Sequence, residues 1–293
     1  MGDKKTDRGG DLLSYIEAIL MGALQGVAEF LPISSSGHLV LFGHFFQVEN
    51  YEETQMFFTV LLHLGTLISV FAYYWRDVLD MIREFFALLA GLFRHKDRGE
   101  AGAVPPARRL VLLIIVATLP LFVVLPVKDL VESAMSNVIF VAAALLVTGF
   151  ILFFADRVAG GGKTAKNATI LDAVLVGCAQ AVGTLPGISR SGVTISAGLL
   201  RGYDRAFAVR FSFLMSMPAV LGANLLSLVD VLKDGGIDAS LLPVYLVGTV
   251  VAAVVGYLAI GLVNLLAKKG KFGAFAWYCW VAGGVSLAAI LFL

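Results

Sequence analysis

Long apolar runs separated by short charged connections dominate the 293-residue chain. A bilayer-crossing helix needs about 20 mostly apolar residues. Six runs meet that length: 57–75, 109–126, 137–155, 207–231, 241–267 and 273–293. Between the first two lies DVLDMIREFFALLAGLFR, whose apolar and charged positions alternate at helical spacing. It predicts an amphipathic helix over 77–94 lying on the membrane surface. Two further apolar stretches, 12–46 and 170–200, do not read as plain spans. Each is broken at its centre by proline and a Gly/Ser cluster, which stops a helix. Broken helices are tolerated at membrane depth only where protein or a water-filled cavity surrounds them. Both stretches therefore read as re-entrant helix–turn–helix hairpins. The predicted fold is an all-α polytopic membrane protein, with six transmembrane helices plus two re-entrant hairpins in a single membrane domain.

Composition agrees. Hydrophobic residues make up 59% of the chain and charged residues 15%, against about a quarter charged in soluble domains. The net charge of +1 gives no reason to expect a nucleic-acid partner. Cys178 and Cys279 lie in apolar runs and read as small core residues, neither a disulfide nor a metal pair. No cleavable leader is expected, because the first apolar stretch holds Glu17, Gln25 and Glu29. Lys and Arg orient the spans. Seven fall in the 76–109 connection, including Arg76, Arg83, Arg94, Lys96 and Arg98, which predicts a cytoplasmic segment. Lys128 stands alone against Asp129 and Glu132 in 127–136, an expected outside loop. Arg157, Lys163 and Lys166 mark the inside again, Lys233 with Asp234 and Asp238 the outside, and KKGK at 268–271 the inside. This pattern places the first hairpin on the outer side and the second on the inner side.

The two broken stretches are copies of one another. IEAILMGALQGVAEFLPISSSG (16–37) aligns without a gap to LDAVLVGCAQAVGTLPGISRSG (171–192) at an offset of 155, with nine of 22 positions identical. Three spans separate the copies, and an odd number inverts the second. The expected organisation is two inverted repeats, approximately 12–155 and 167–293, whose broken helices build a ligand site near the midplane. The copies differ chemically. Glu29 faces Thr184, Ser35 faces Arg190 and His38 faces Val193 at matched positions.

Ionisable groups at the centre of a membrane helix cost about 2.5–3.5 kcal/mol each, so Glu29 and Arg190 should be paired, hydrated or engaged with a ligand. A half-helix N-terminus offers free N–H groups, and a guanidinium beside it forks onto phosphate oxygens. Two such termini, at Ser34–Gly37 and at Ser189–Ser191, suit a phosphate or diphosphate. Glu29 then serves as base or holds a divalent cation, and His38 or Ser35 is the nucleophile. Structural alternatives remain. The Glu29–Arg190 pair can be purely architectural, and the serines can serve close helix packing. Gln25 and Gln180 are symmetric, so at least one reads as structural. His44 and His63 read as satisfied core residues, and the small residues around Gly222 as packing.

QGVAEFLPISSSGHL and LPGISRSGVTIS resemble the two motifs of the undecaprenyl-diphosphate phosphatase family of bacterial membranes, the bacitracin-resistance type, and the resemblance runs over essentially the whole chain. It implies an integral inner-membrane enzyme that hydrolyses the C55 isoprenoid diphosphate to the monophosphate. That reaction recycles the lipid carrier for peptidoglycan synthesis. It further implies dependence on Mg2+ or Ca2+, a site open to the outer, periplasmic face, and possible homodimers. By position, Glu29 and Gln25 correspond to the acidic motif, Glu29 being the metal-binding acid. Ser35 and His38 correspond to the catalytic serine and histidine, and Arg190 to the phosphate-binding arginine. Ser34, Ser36, Ser189, Ser191 and Thr194 complete the phosphate-binding set. Gln25 stands where some members have Glu. A secondary transporter or flippase of a phosphorylated lipid has the same architecture and stays open at this level.

Overall fold

The computed structural model describes residues 14–45, 51–93, 105–158, 160–234 and 239–292. Arg94, Lys96, Arg98 and Asp238, used above to orient the chain, lie outside the described residues. Every apolar run is helical: α1 (Tyr15–Phe30), α2 (Ser35–Phe45), α3 (Tyr51–Tyr73), α4 (Trp75–Phe93), α5 (Pro106–Thr118), α6 (Lys128–Ser133), α7 (Val138–Asp156), α8 (Ile170–Val182), α9 (Arg190–Leu200), α10 (Arg205–Asp234), α11 (Leu242–Lys268) and α12 (Gly273–Phe292). Five stretches are long and apolar enough to cross a bilayer, and α3 with α4 forms a sixth that bends by 90°. The protein is a multi-pass membrane protein. The bend falls at the predicted junction, where α4 leaves Trp75, Ile82, Phe85, Phe86 and Leu89 exposed. Two of its acids turn inward, Glu84 pairing with Arg108 at 2.8 Å and Asp77 with Arg210, while Arg76, Asp80 and Arg83 stay exposed. The span predicted over 109–126 is not one regular helix. Pro120 and Pro126 lack the N–H a ladder needs, so the chain tightens into 3₁₀ turns at Leu119–Val123 and Leu125–Val127 before α6.

Helices can approach closely in a membrane only where side chains are small. Gly248, Ala252 and Gly256 stand four residues apart on α11 and form such a stripe. Gly22 and Gly26 of α1 and Gly65 of α3 press their Cα atoms against its backbone, and a Cβ at Gly26 falls 2.8 Å from the Ala252 carbonyl oxygen. The small residues around Gly222 do no such work, since a Cβ there meets nothing within 4 Å. Cys279 is buried as expected, but Cys178 is exposed on the apolar surface, and both thiols are free.

The sequence repeat recurs in detail. Ser14 caps α1, accepting from the Glu17 N–H at 3.2 Å while Glu17 accepts from the Ser14 N–H at 2.8 Å. Thr169 and Asp172 repeat this box on α8 at 3.1 and 2.9 Å, so the correspondence begins two residues upstream of the aligned segment. Gly22 abuts the Gly248 carbonyl of α11, and its counterpart Gly177 abuts the Ala117 carbonyl of α5. The copies diverge in surroundings. Glu17 is exposed, whereas Asp172 is wholly buried and clamped by Lys163 and Arg201, each at 2.8 Å.

Polar contacts gather the connections into two groups. Asp156 accepts from the Phe272 N–H at 3.1 Å and lies 3.7 Å from Arg205, while Arg109 donates to the Ala168 carbonyl at 2.8 Å. The turns expected inside therefore meet one another. Lys128, in one segment expected outside, pairs at 3.1 Å with Asp230, at the end of the run that leads into the other.

Candidate active site at the hairpin tips

The first break follows from its residues. Leu31 precedes proline and is extended (φ −62°, ψ 140°), as the proline ring demands. The chain then turns back through Ser34, whose φ of +72° is left-handed, a conformation costing about 1–2 kcal/mol in a non-glycine residue. The Ser34 hydroxyl accepts the Gly37 N–H at 3.2 Å and so starts α2. In the second copy Gly187, not a serine, carries the positive φ (+86°). Ser189 repeats the cap, accepting from the Gly192 N–H at 3.1 Å. Thr148 of α7 braces this tip. Its hydroxyl donates to the Gly187 carbonyl and accepts the Ser189 N–H, both at 3.1 Å.

The tips touch. A Cβ on Gly37 lies 3.1 Å from the Gly187 Cα, and Ser191 donates across the seam to the Leu31 carbonyl at 3.3 Å. At this seam sits Glu29, 7% exposed, with both carboxylate oxygens engaged. Oε1 takes the Arg190 guanidinium. Oε2 accepts from Ser35 Oγ at 2.8 Å and from Gln25 Nε2 at 3.1 Å. His63 Nε2 lies 3.9 Å from the same oxygen. Four elements thus meet on one carboxylate: α1, α2, α3 and α9.

Of the four residues expected to converge, Glu29, Ser35 and Arg190 do. His38 stands apart. Its Nδ1 donates to the Ser34 carbonyl at 2.8 Å, an acceptor that fixes the tautomer, so Nε2 accepts from the Tyr278 hydroxyl at 2.8 Å. Its ring also stacks on Tyr278, with centroids 5.6 Å apart. The expected hydroxyl set divides in a similar way. Ser34 and Ser189 cap helices, with Ser36 and Ser191 at 3.4 and 3.2 Å from them. Thr194 turns back to the Arg190 carbonyl at 2.8 Å and to Ser212 at 2.6 Å. Each of these hydroxyls has a hydrogen-bond partner within the fold.

His63 and Thr148 belong to the site and were not expected there. A lone histidine or threonine in an apolar helix carries no local sign of what faces it across the fold. Cation binding is a matter of donors. Among the described residues no three His, Cys, Asp or Glu side chains cluster. Gln25, however, is fully buried, and its Oε1 has no hydrogen-bond partner. One carboxylate and one unsatisfied amide oxygen fit a hard cation that takes its remaining ligands from substrate phosphates and water.

Known proteins resemble the chain over nearly its whole length. The profile of the family described as bacitracin resistance protein BacA matches residues 18–285. An undecaprenyl-diphosphatase of Methanosphaera stadtmanae is 38% identical over 94% of this chain and 98% of its own length. One from Syntrophotalea carbinolica is 39% identical over 94% and 99%. The undecaprenyl-diphosphatase 4 of Bacillus cereus is 38% identical over 92% and 95%.

Proposed function

Because the chain belongs to the bacitracin resistance protein BacA family, we propose that it hydrolyses undecaprenyl diphosphate to the monophosphate and inorganic phosphate. The observation that carries the reading is the Glu29 carboxylate, shared between a would-be nucleophile, Ser35, and a phosphate-seeking guanidinium, Arg190. The acid and the guanidinium neutralise each other. An arriving diphosphate offers Arg190 a bidentate partner, which frees Glu29 Oε1. Released from the guanidinium, the carboxylate regains basicity and takes the proton of the Ser35 hydroxyl that it already holds. Ser35 Oγ then attacks the terminal phosphorus, and the bridging P–O bond breaks with its electron pair going to the lipid monophosphate. Water then attacks the phosphoserine phosphorus and the P–Oγ bond breaks with its electron pair going to Ser35 Oγ. Ser35 recovers its proton from Glu29, and the water's second proton leaves with the inorganic phosphate. His38, held by Ser34 and Tyr278, supports the start of α2 in this scheme. A divalent cation held by Glu29 and Gln25 neutralises charge on the diphosphate when bound.

The two hairpins are read as re-entrant and as halves of an inverted repeat. The site opens toward the outer, periplasmic face of the inner membrane, where spent carrier accumulates after polymer assembly, and the chain can act as a homodimer. The matched capping boxes and glycine contacts support the repeat, and the loop charges support the orientation. The test is phosphate release from undecaprenyl diphosphate by detergent-purified protein with Mg2+ or Ca2+. Ser35→Ala and Arg190→Ala are expected to lower turnover at least about 100-fold, and His38→Gln much less. No release by the wild type, or full activity in the Ser35 and Arg190 variants, sinks the proposal. Lipid movement across proteoliposomes without hydrolysis favours a transporter instead.

A further inference from the structure

His63 is placed like a metal ligand. Its Nδ1 donates to the Thr59 carbonyl one turn earlier at 2.9 Å, which fixes the ring and leaves the Nε2 lone pair outward. A backbone carbonyl on the distal nitrogen is the usual support for a metal-bound histidine. Nε2 faces Glu29 Oε2 at 3.9 Å, too long for a hydrogen bond. Two donors each about 2.1 Å from one ion lie at most about 4.2 Å apart, so one cation can bridge this gap. Gln25, whose amide already touches Glu29 Oε2, carries the buried oxygen without a partner. Arg190 sits on the other carboxylate oxygen, so a cation at Oε2 need not displace it.

We infer that His63 Nε2, Glu29 Oε2 and the Gln25 amide oxygen are the protein's donors to the divalent cation, giving the site a nitrogen ligand from α3, outside both hairpins. The inference rests on the diphosphatase reading for the cation's presence. An imidazole donor shifts preference from Ca2+ toward Mn2+ or Zn2+.

The experiment uses the detergent-purified full chain with Mn2+ and methylenediphosphonate, a non-hydrolysable head-group mimic. Electron spin-echo modulation reads any nitrogen bound to the Mn2+. The wild type and His38→Gln should show 14N modulation, and His63→Gln should lose it. Mn2+ affinity should fall at least about tenfold in the His63 variant. His63→Leu serves as a second variant, with thermal unfolding checking that each protein is folded. Wild type that binds no Mn2+, wild type with oxygen-only coordination, or modulation persisting without His63 overturns the inference. Phosphate release measured in parallel separates the two readings: undiminished diphosphatase activity with no nitrogen coupling rejects the ligand and leaves the function standing.

Discussion

Glu29 holds the site together by contacts that no single stretch of sequence contains. Breaking a buried ion pair from one side leaves an uncompensated charge, at about 3–5 kcal/mol. Arg190 is 22% exposed, which puts this pair at the lower end of that range. Glu29→Ala and Arg190→Ala are each expected to depress the thermal midpoint in detergent. The double variant should recover part of the loss, with a coupling of about 0.5–3 kcal/mol. Additive single effects show instead that the two do not act as a unit. The sequence announces Glu29, Ser35 and Arg190 because charge and hydroxyls at membrane depth are costly and therefore informative. It does not announce His63. Its neighbours in chain order are apolar, and only the packing of α3 beside α1 turns its ring toward the acid. His38 was singled out by its place, and its side-chain partner comes from elsewhere in the fold. It stands one turn after Ser35 on α2, yet its ring nitrogens are taken by the Ser34 carbonyl and the Tyr278 hydroxyl, and no stretch of sequence announces Tyr278 as its partner.

Elements were legible wherever hydrophobic length decided the matter, as for α7, α10, α11 and α12. The 3₁₀ passage after α5 was less so, since proline's effect depends on where the freed carbonyls find partners. The upstream capping boxes, Ser14 with Glu17 and Thr169 with Asp172, are a signal the sequence does contain. They extend the repeat beyond the identical positions because capping is conserved in chemistry, not in residue identity. Close approach gives a paired prediction. Gly22→Ala and Gly177→Ala force a methyl onto a facing backbone carbonyl, at Gly248 and Ala117 respectively. Each should cost about 1–3 kcal/mol. Gly222→Ala, with open space around it, should stabilise α10 by up to about 1 kcal/mol. Thermal midpoints of the three variants check the signs, and a destabilised Gly222 variant contradicts the packing described here.

At the scale of the molecule, loop charge predicted which connections share a side, and the contacts of Asp156, Arg205 and Phe272 bring the expected inside turns together. The side itself is tested by labelling. In a background with Cys178 and Cys279 replaced by alanine, Asp129→Cys should react with an impermeant maleimide in intact cells. Lys269→Cys should react only after permeabilisation, and the reverse result inverts the proposed topology. What the repeat did not supply is the contribution of elements outside the hairpins, His63 of α3 and Thr148 of α7. It did announce that two distant hairpins meet, and they do so tip to tip. That meeting also has an electrical consequence. Glu29 and Arg190 together form a dipole without net charge, and a transmembrane voltage exerts no net pull on the pair. A whole elementary charge crossing 100 mV exchanges about 2.3 kcal/mol with the field. On the proposed reading an anionic head group brings to this depth a charge that the pair itself does not carry, so membrane voltage is expected to bear on lipid capture and release more than on the paired side chains.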